Sequence, residues 1–334
     1  MTLLQKMMTY QSLTKVDIDE FMNKMLSSEM TDKEKLALLV AFTMKKETPE
    51  ELYYLAQSLI HSTYESQYEY PDAMCVCGTG GDGSNSFNIS TTASFVVASA
   101  GVPVIKHGNK SITSKSGSTD LLEELDVAST PVDNVKQRVQ ETRLAFISAT
   151  EAYPVMKHLQ AVRRMVPTPT VFNIMGPLIN PFALDYQVMG VYDDSKMEDI
   201  AKVLQHLGRK KALVVHGANG MDEASLSGDN QIIEVSQELG IRRYTINAQD
   251  YGLRYADDKA LEGGTPEENA LITLNILTGK DQSARRDVVI LNAALALYAA
   301  QKVASIQDGV IKAAELIDSG QAYQQYQVLR GVKV

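Results

Sequence analysis

The sequence predicts an α/β protein: a small all-helical domain, then a large α/β domain whose central, mostly parallel sheet is flanked by helices. Three observations carry this. Residues 1–69 show helical patterns and no strand signal. From about residue 72, short apolar runs alternate with helical segments, as in a right-handed parallel sheet. Three of those apolar runs finish in polar loops, and ligands sit beyond the carboxyl ends of parallel strands.

In the helical part, VDIDEFMNKMLSSEM sets Val16, Ile18, Phe21, Met22 and Met25 on one stripe. TDKEKLALLVAFTMKK opens with Thr31 and, three residues on, Glu34, the signature of a capping box. Thr48-Pro49-Glu50-Glu51 starts a further helix, ELYYLAQSLI. The Met, Leu and Tyr residues here are core material, with some left for a subunit interface. Then come the strand AMCVC, the helix STTASFVVASAG, the strand VPVIKHG and the helix STDLLEELDV, with LAFIS, KALVVHG and QIIEVS as later strands. Residues 162–183, VRRMVPTPTVFNIMGPLINPFA, are rich in Pro and Gly and read as a crossing or hinge segment, not a sheet element.

Composition narrows the function classes. The 334 residues suffice for one large domain or two smaller ones. Lysine and arginine total 32 against 41 acids, a formal charge of −9, and no basic run offsets it, which argues against nucleic acid. The stretch MTLLQKMMTYQSLTKV lacks the features of a signal peptide. The apolar run at 288–300 is broken by Asn292 and is too short to span a bilayer, so no membrane role is expected. Cys75 and Cys77 are the two cysteines; two apart on a strand they share a face and read as reduced, buried thiols, suited to the cytoplasm.

The three strand-end loops hold the chemistry. AMCVC runs into Gly78-Thr79-Gly80-Gly81-Asp82-Gly83, whose amides can wrap an anion. Asn88-Ile89-Ser90-Thr91-Thr92 follows, where Ser and Thr would cap a helix whose start also suits phosphate. VPVI runs into Lys106-His107-Gly108-Asn109, with Lys106 a point charge for phosphate, and a hydroxyl-rich stretch follows that reads as a solvated loop and equally as one that closes over phosphate, the two being compatible. ALVV runs into a loop ending in Asp222-Glu223. Such a pair is solvated on an ordinary surface, but beside a phosphate loop it suits Mg²⁺, which takes a few carboxylates plus phosphate oxygens. The expected role of the glycines is to let backbone approach the ligand. No GxxxxGK[ST], GxSxG or HExxH occurs.

Taken in order, GTGGD (78–82), NIST (88–91), KHGNK (106–110), SKSGSTDLLEEL (114–125), VRR (162–164), FNIMGPLINP (172–181) and VHGANGMDEAS (215–225) resemble the anthranilate phosphoribosyltransferase family, as do GGTPEENA (263–270) and RDVVILNAALALY (286–298). The resemblance covers nearly the whole chain. It implies transfer of the 5-phosphoribosyl group of phosphoribosyl pyrophosphate (PRPP) to anthranilate in tryptophan biosynthesis, with Mg²⁺, two ions per subunit. It also implies a homodimer formed through the helical domain. That domain would comprise residues 1–69 plus about 162–183, and the α/β domain residues 70–161 plus 184–334.

Carried over position by position, the resemblance implies PRPP contacts at Gly78, Gly81, Asp82, Ser86, Asn88, Ile89, Ser90, Thr91, Lys106, Asn109, Ser114 and Ser118. It implies anthranilate contacts at Gly78, His107, Asn109, Arg163, Gly176 and Pro177, and metal contacts at Ser90, Asp222 and Glu223. From spacing alone Arg163 reads as a hinge salt bridge; as a substrate contact it would hold the carboxylate by two hydrogen bonds. No dedicated general base stands out, and His107 is the candidate, against a structural hydrogen-bonding role. The chain departs from the family pattern at Lys110 (usually Arg), Tyr153-Pro154-Val155 (usually HPA), Val166–Thr170 (usually Leu-Gly-x-Arg-Thr) and Asp126 (usually Gly). The rival readings are a nucleoside phosphorylase and a binding module that does not transfer to anthranilate.

Overall fold

The computed structural model describes residues 1–109 and 116–331. Four helices come first: α1 (Leu3–Met8), α2 (Lys15–Leu26), α3 (Asp32–Lys45) and α4 (Pro49–His61). Each is opened by a threonine, Thr2, Thr14, Thr31 or Thr48, in a reciprocal capping box with the third helical residue. Two otherwise unpaired backbone donors are thus satisfied at every start. On α2, Ile18, Phe21, Met22 and Met25 are buried as expected, whereas Val16 is exposed. At about 100° per residue Val16 lies some 200° from Ile18, on the far side of the helix.

The α/β part follows: β1 (Tyr68–Glu69), β2 (Met74–Gly78), α5 (Ile89–Ser99), β3 (Val104–Gly108), α6 (Ser118–Glu124), α7 (Val135–Thr142) and β4 (Leu144–Ser148). The crossing region holds α8 (Ala149–Ala152), α9 (Lys157–Met165), α10 (Phe172–Met175) and β5 (Phe182–Ala183). Then come β6 (Tyr186–Gly190), α11 (Met197–His206), β7 (Lys211–His216), β8 (Asp229–Ser236) and β9 (Gly240–Asn247). Helices α12 (Pro266–Leu277), α13 (Ala284–Ala299), α14 (Ile306–Asp318) and α15 (Gln321–Gly331) end the described chain.

Seven strands form the main sheet in the order β4-β3-β2-β6-β7-β8-β9. The first five are mutually parallel, and β8 and β9 add antiparallel. Counted by appearance, the parallel strands run 3-2-1-4-5, so the winding reverses between β2 and β6 and leaves a crevice there. A second small sheet pairs β1 with β5, with Tyr68 stacked on Phe182 at 5.2 Å. It corrects two expectations: residues 1–69 are not purely helical, and 162–183 does contribute a strand. Two-residue strands carry no periodicity to read.

The sheet separates two cores. Met74, Val76, Val104, Leu144 and Phe146 face α5 and α13. Their alternating neighbours Cys75, Cys77, Ile105, Ala145 and Ile147 face the helical part and α9 to α11. Both cysteines are free and buried, on the same face.

Candidate active site

The loop after β7 doubles back across the sheet edge and lays Asp222 over the ends of β2 and β6. A Cβ on Gly78 would lie 2.1 Å from Asp222 Oδ2, and one on Gly190 only 1.6 Å from the Asp222 carbonyl oxygen. Nothing larger than hydrogen fits. The glycines at these two strand ends therefore clear a path for the chain's own acidic segment, a demand at Gly78 separate from the ligand approach expected of the glycine loop. Beyond Gly78 the loop turns through left-handed backbone at Gly80 and Gly81, with φ of 71° and 86°.

The three loops predicted to meet do meet. Gly80 N–H donates to Asp222 Oδ2 at 2.7 Å, and Asp222 N–H reaches Asp82 Oδ2 at 3.4 Å. Ser90 N–H donates to Glu223 Oε1 at 3.2 Å. The Lys106 ammonium donates to the Val76 carbonyl at 2.5 Å and to Ser90 Oγ at 3.1 Å. Asp82 also closes its own turn by accepting from Ser84 N–H at 3.1 Å. The Ser/Thr cap expected at the start of α5 is not formed; Asn88 is the N-cap residue and its side chain makes no capping bond. Glu223 takes an amide of the first turn, while the Asn88 side chain bonds Ser116 and Asn269.

Burial, then repulsion by Glu223 and Asp82, holds the Asp222 carboxyl well above the usual carboxylate range. Burial likewise pushes Glu223 up to about 7, against the pull of Lys106. Crowded, desolvated carboxylates of this kind are relieved by a cation. Among the described residues no three His, Cys, Asp or Glu side chains form a metal cage. A pair of carboxylates with Ser90 beside them fits Mg²⁺, which completes its shell with water and substrate oxygens, and does not fit zinc.

Alternation along β3 divides the site. Lys106 points to the α5 side; His107, next in sequence, points to the helical side. His107 Nδ1 lies 3.0 Å from the Gly176 carbonyl, which can only accept, so Nδ1 carries the hydrogen. Nε2 is then a bare acceptor, buried and, among the described residues, without a protein partner. Burial pulls the imidazole down to about 4, so it is neutral. On α9, the half-buried Arg163 guanidinium sits over the Phe172 ring at 5.9 Å. Burial lowers its pKa, and among the described residues no carboxylate pairs with it, contrary to the hinge salt bridge that spacing alone suggests.

The remaining predicted residues fall as follows. Ser118 Oγ accepts from Asn109 N–H and donates to Asn109 O, both at 3.1 Å, tying the end of β3 to the start of α6. Ser86 lies in the turn after Gly83 and bridges Glu262. Ile89 and Thr91 are buried in the α/β core. Gly176 and Pro177 stand beside His107, with Gly176 in direct contact. Ser114 and Lys110 lie outside the described residues. Sequence reasoning missed Gly190 and Asn292. The latter's amide bonds both backbone groups of Ala224, next to Glu223. A polar residue inside the apolar run 288–300 was the available signal.

A helical bundle joined to a doubly wound sheet, with carboxylates and lysine at the switch point, defines a class: it matches the glycosyl transferase family's helical bundle domain over residues 1–63 and its a/b domain over 70–323. The chain is 55% identical to the anthranilate phosphoribosyltransferase of Staphylococcus saprophyticus over 332 residues, 99% of this chain and 98% of that one. It is 53% identical to that of Staphylococcus aureus strain Newman over 331 residues, 99% of this chain and all of the other. Among solved structures, anthranilate phosphoribosyltransferase from Thermus thermophilus superposes with a TM-score of 0.91 at 35% identity, over 99% of this chain and 100% of that one. The enzyme of Saccharomyces cerevisiae, in complex with PRPP and Mg, gives 0.88 at 25% identity, over 98% and 95%. The chain belongs to the glycosyl transferase family, among its anthranilate phosphoribosyltransferases.

Proposed function

We propose that the chain transfers the 5-phosphoribosyl group of PRPP to the amine of anthranilate, releasing pyrophosphate, with the donor and the acceptor held on opposite faces of β3. One observation carries the division: Lys106 is tied to Ser90 at the start of α5, while His107 is tied to Gly176 on the other side. On the donor side the contacts are Gly78, Gly81, Asp82, Ser86, Asn88 to Thr91, Lys106, Asn109, Ser114 and Ser118. Ser90, Asp222 and Glu223 would hold Mg²⁺, two ions per subunit, and the bound metal neutralises charge on the leaving pyrophosphate. On the acceptor side Arg163 takes the anthranilate carboxylate by two hydrogen bonds, and Gly78, Asn109, Gly176 and Pro177 line the ring.

His107 Nε2 accepts a hydrogen from the arylamine. An imidazole pulled down to about 4 is a hydrogen-bond acceptor more than a proton sink. It therefore orients a weak nucleophile, and positioning supplies much of the acceleration. The helical domain takes residues 1–69 with the crossing segment at about 162–183, and the α/β domain residues 70–161 and 184–334. Packing of α9 on α2 and α3, and pairing of β5 with β1, support that division. The exposed Leu4 and Met8 of α1, beside Val40 and Met44 of α3, support a homodimer through this domain. Among the described residues no helix is long and apolar enough to cross a membrane. The two free thiols suit a reducing cytoplasm.

The test is loss of anthranilate fluorescence with PRPP and Mg²⁺, with pyrophosphate measured alongside. Replacing Asp222 and Glu223 together by Ala should raise the PRPP KM or lower kcat by at least about 100-fold. Unchanged PRPP kinetics would sink the metal assignment. Phosphorolysis of uridine or thymidine without anthranilate turnover would overturn the function.

A further inference from the structure

Residues 176–180 join the helical side of the cleft to β5, and other elements hold them through four of their carbonyl groups and through Asn180 Nδ2, which donates to the Ile105 carbonyl at 2.9 Å. Four carbonyls accept from side chains: Gly176 from His107 at 3.0 Å, Pro177 from Gln187 Nε2 at 2.8 Å, Ile179 from the Tyr153 hydroxyl at 2.5 Å, and Asn180 from Gln67 Nε2 at 2.8 Å. Buried carbonyls need partners, and here side chains from separate parts of the chain supply them. Gln187 and Tyr153 are fully buried, so neither is a surface accident.

The orientation of the Gln187 amide is determined by its other partner. Arg209 Nε–H, which can only donate, lies 3.0 Å from Gln187 Oε1, so the NH₂ group must face Pro177. Arg209 is 1% exposed, with no carboxylate partner among the described residues, and bonds the Leu184 and Leu207 carbonyls. Burying a guanidinium without a counter-charge is costly. Its visible result is a Gln187 that cannot flip.

Downstream of this lock stands His107. Its tautomer depends on the Gly176 carbonyl remaining in place, and the Tyr153 ring stands edge-on to the imidazole at 5.9 Å. We propose that Gln187, oriented by Arg209, and Tyr153 are positioning residues that fix Gly176–Asn180 and so hold His107 as its Nδ1–H tautomer, leaving Nε2 open to an N–H of the acceptor. The inference rests on reading this face as the arylamine side.

The test uses the full-length enzyme with Gln187→Glu, which keeps an acceptor for Arg209 but loses the donor to Pro177, and Tyr153→Phe, which deletes one hydroxyl. For each, KM for anthranilate and for PRPP, melting temperature, and the ring-nitrogen shifts of ¹⁵N-histidine-labelled protein are measured. Only five histidines contribute signals. Both variants should raise the anthranilate KM roughly five- to tenfold, the scale of one lost positioning bond, with the PRPP KM within about twofold of wild type. The His107 nitrogens should move from a single tautomer toward a mixture. Unchanged anthranilate KM and unchanged tautomer, or both KM values rising by one factor alongside a fall in melting temperature, would overturn the proposal. If Gln187→Glu does not fold, Tyr153→Phe decides alone. A wild type that ignores anthranilate, or an Arg163→Gln variant with unaltered anthranilate KM, would overturn the reading of the face instead, and the tautomer measurement would still stand.

Discussion

Asn292 offers the sharpest test of how the acidic segment is held. It is 1% exposed in α13, surrounded by Leu, Ala and Val. Its Nδ2 donates to the carbonyls of Ala224 and Val288, each at 2.9 Å, and its Oδ1 accepts from Ala224 N–H at 3.0 Å. The amide thus does for Ala224 what a neighbouring strand would do, one residue from Glu223. Asn292→Leu nearly preserves volume but strips both Ala224 groups of this partner. A buried unsatisfied backbone group costs about 1–3 kcal/mol, so the pair amounts to about 2–6 kcal/mol before relaxation. The loop will recover part of that by shifting, and the shift displaces Asp222 and Glu223. Urea unfolding should therefore show about 2–4 kcal/mol lost. At saturating anthranilate, the PRPP KM should rise at least about tenfold and the Mg²⁺ requirement should increase. Anthranilate KM should stay near wild type. A stability loss without change in PRPP or Mg²⁺ dependence would show that the acidic segment holds its own shape. A loss under about 1 kcal/mol would show that the Ala224 groups find other partners.

Gly78→Ala should reduce PRPP-dependent turnover by at least about 100-fold in a folded protein, because the new methyl lands on the Asp222 carboxylate; near-normal activity with unchanged circular dichroism would refute the packing argument. His107 has its pKa lowered from 6.5 to about 4, so the native state resists its protonation. The associated stability is complete above about 6.5 and is lost as pH falls toward 4, with an upper limit of roughly 3 kcal/mol. His107→Gln should flatten that part of the stability profile, and an identical wild-type-minus-variant difference at the two ends of the window would contradict it. Met8→Glu with Met44→Glu should yield a monomer by sedimentation if the apolar face of α1 and α3 is the subunit contact; an unaltered oligomer would place the contact elsewhere.

The helical part was legible because local chemistry decides it: a Thr followed three residues later by an acid both signals and makes the cap, as at Thr31 and Thr48. The strands β2, β3, β4 and β7 were legible as buried apolar runs. Strand β9 was not, since GIRRYTIN has one face in solvent and gains its conformation only by pairing with β8. The site was legible where loops follow strands directly. Gly190 was invisible for a different reason: its need for glycine comes from a carbonyl oxygen 32 positions away in sequence, and no local pattern records that crossing. Arg163 misled because a charge in a hinge usually finds a carboxylate. Its half-buried place, with no carboxylate partner among the described residues, is a property of the packed helical face, not of its neighbours in the chain.

The pair Lys106-His107 shows how little sequence separates the two sides of the candidate site. Side chains alternate along β3, so a cation bound to Ser90 and a neutral imidazole bound to Gly176 reach opposite faces of the sheet from adjacent residues. The ladder to β2 pairs Met74 with Val104 and so aligns GTGGDG with the end of KHGN at the same rim. Shifting β3 by one residue would exchange the two faces, putting the lysine among the apolar side chains of the helical domain and the imidazole against Ser90. The glycine loop that leaves β2 is usable only because that register holds. At that rim Asp222 already occupies the space above Gly78, with its carboxylate accepting from the Gly80 amide, so the loop and the acidic segment hold one another in place.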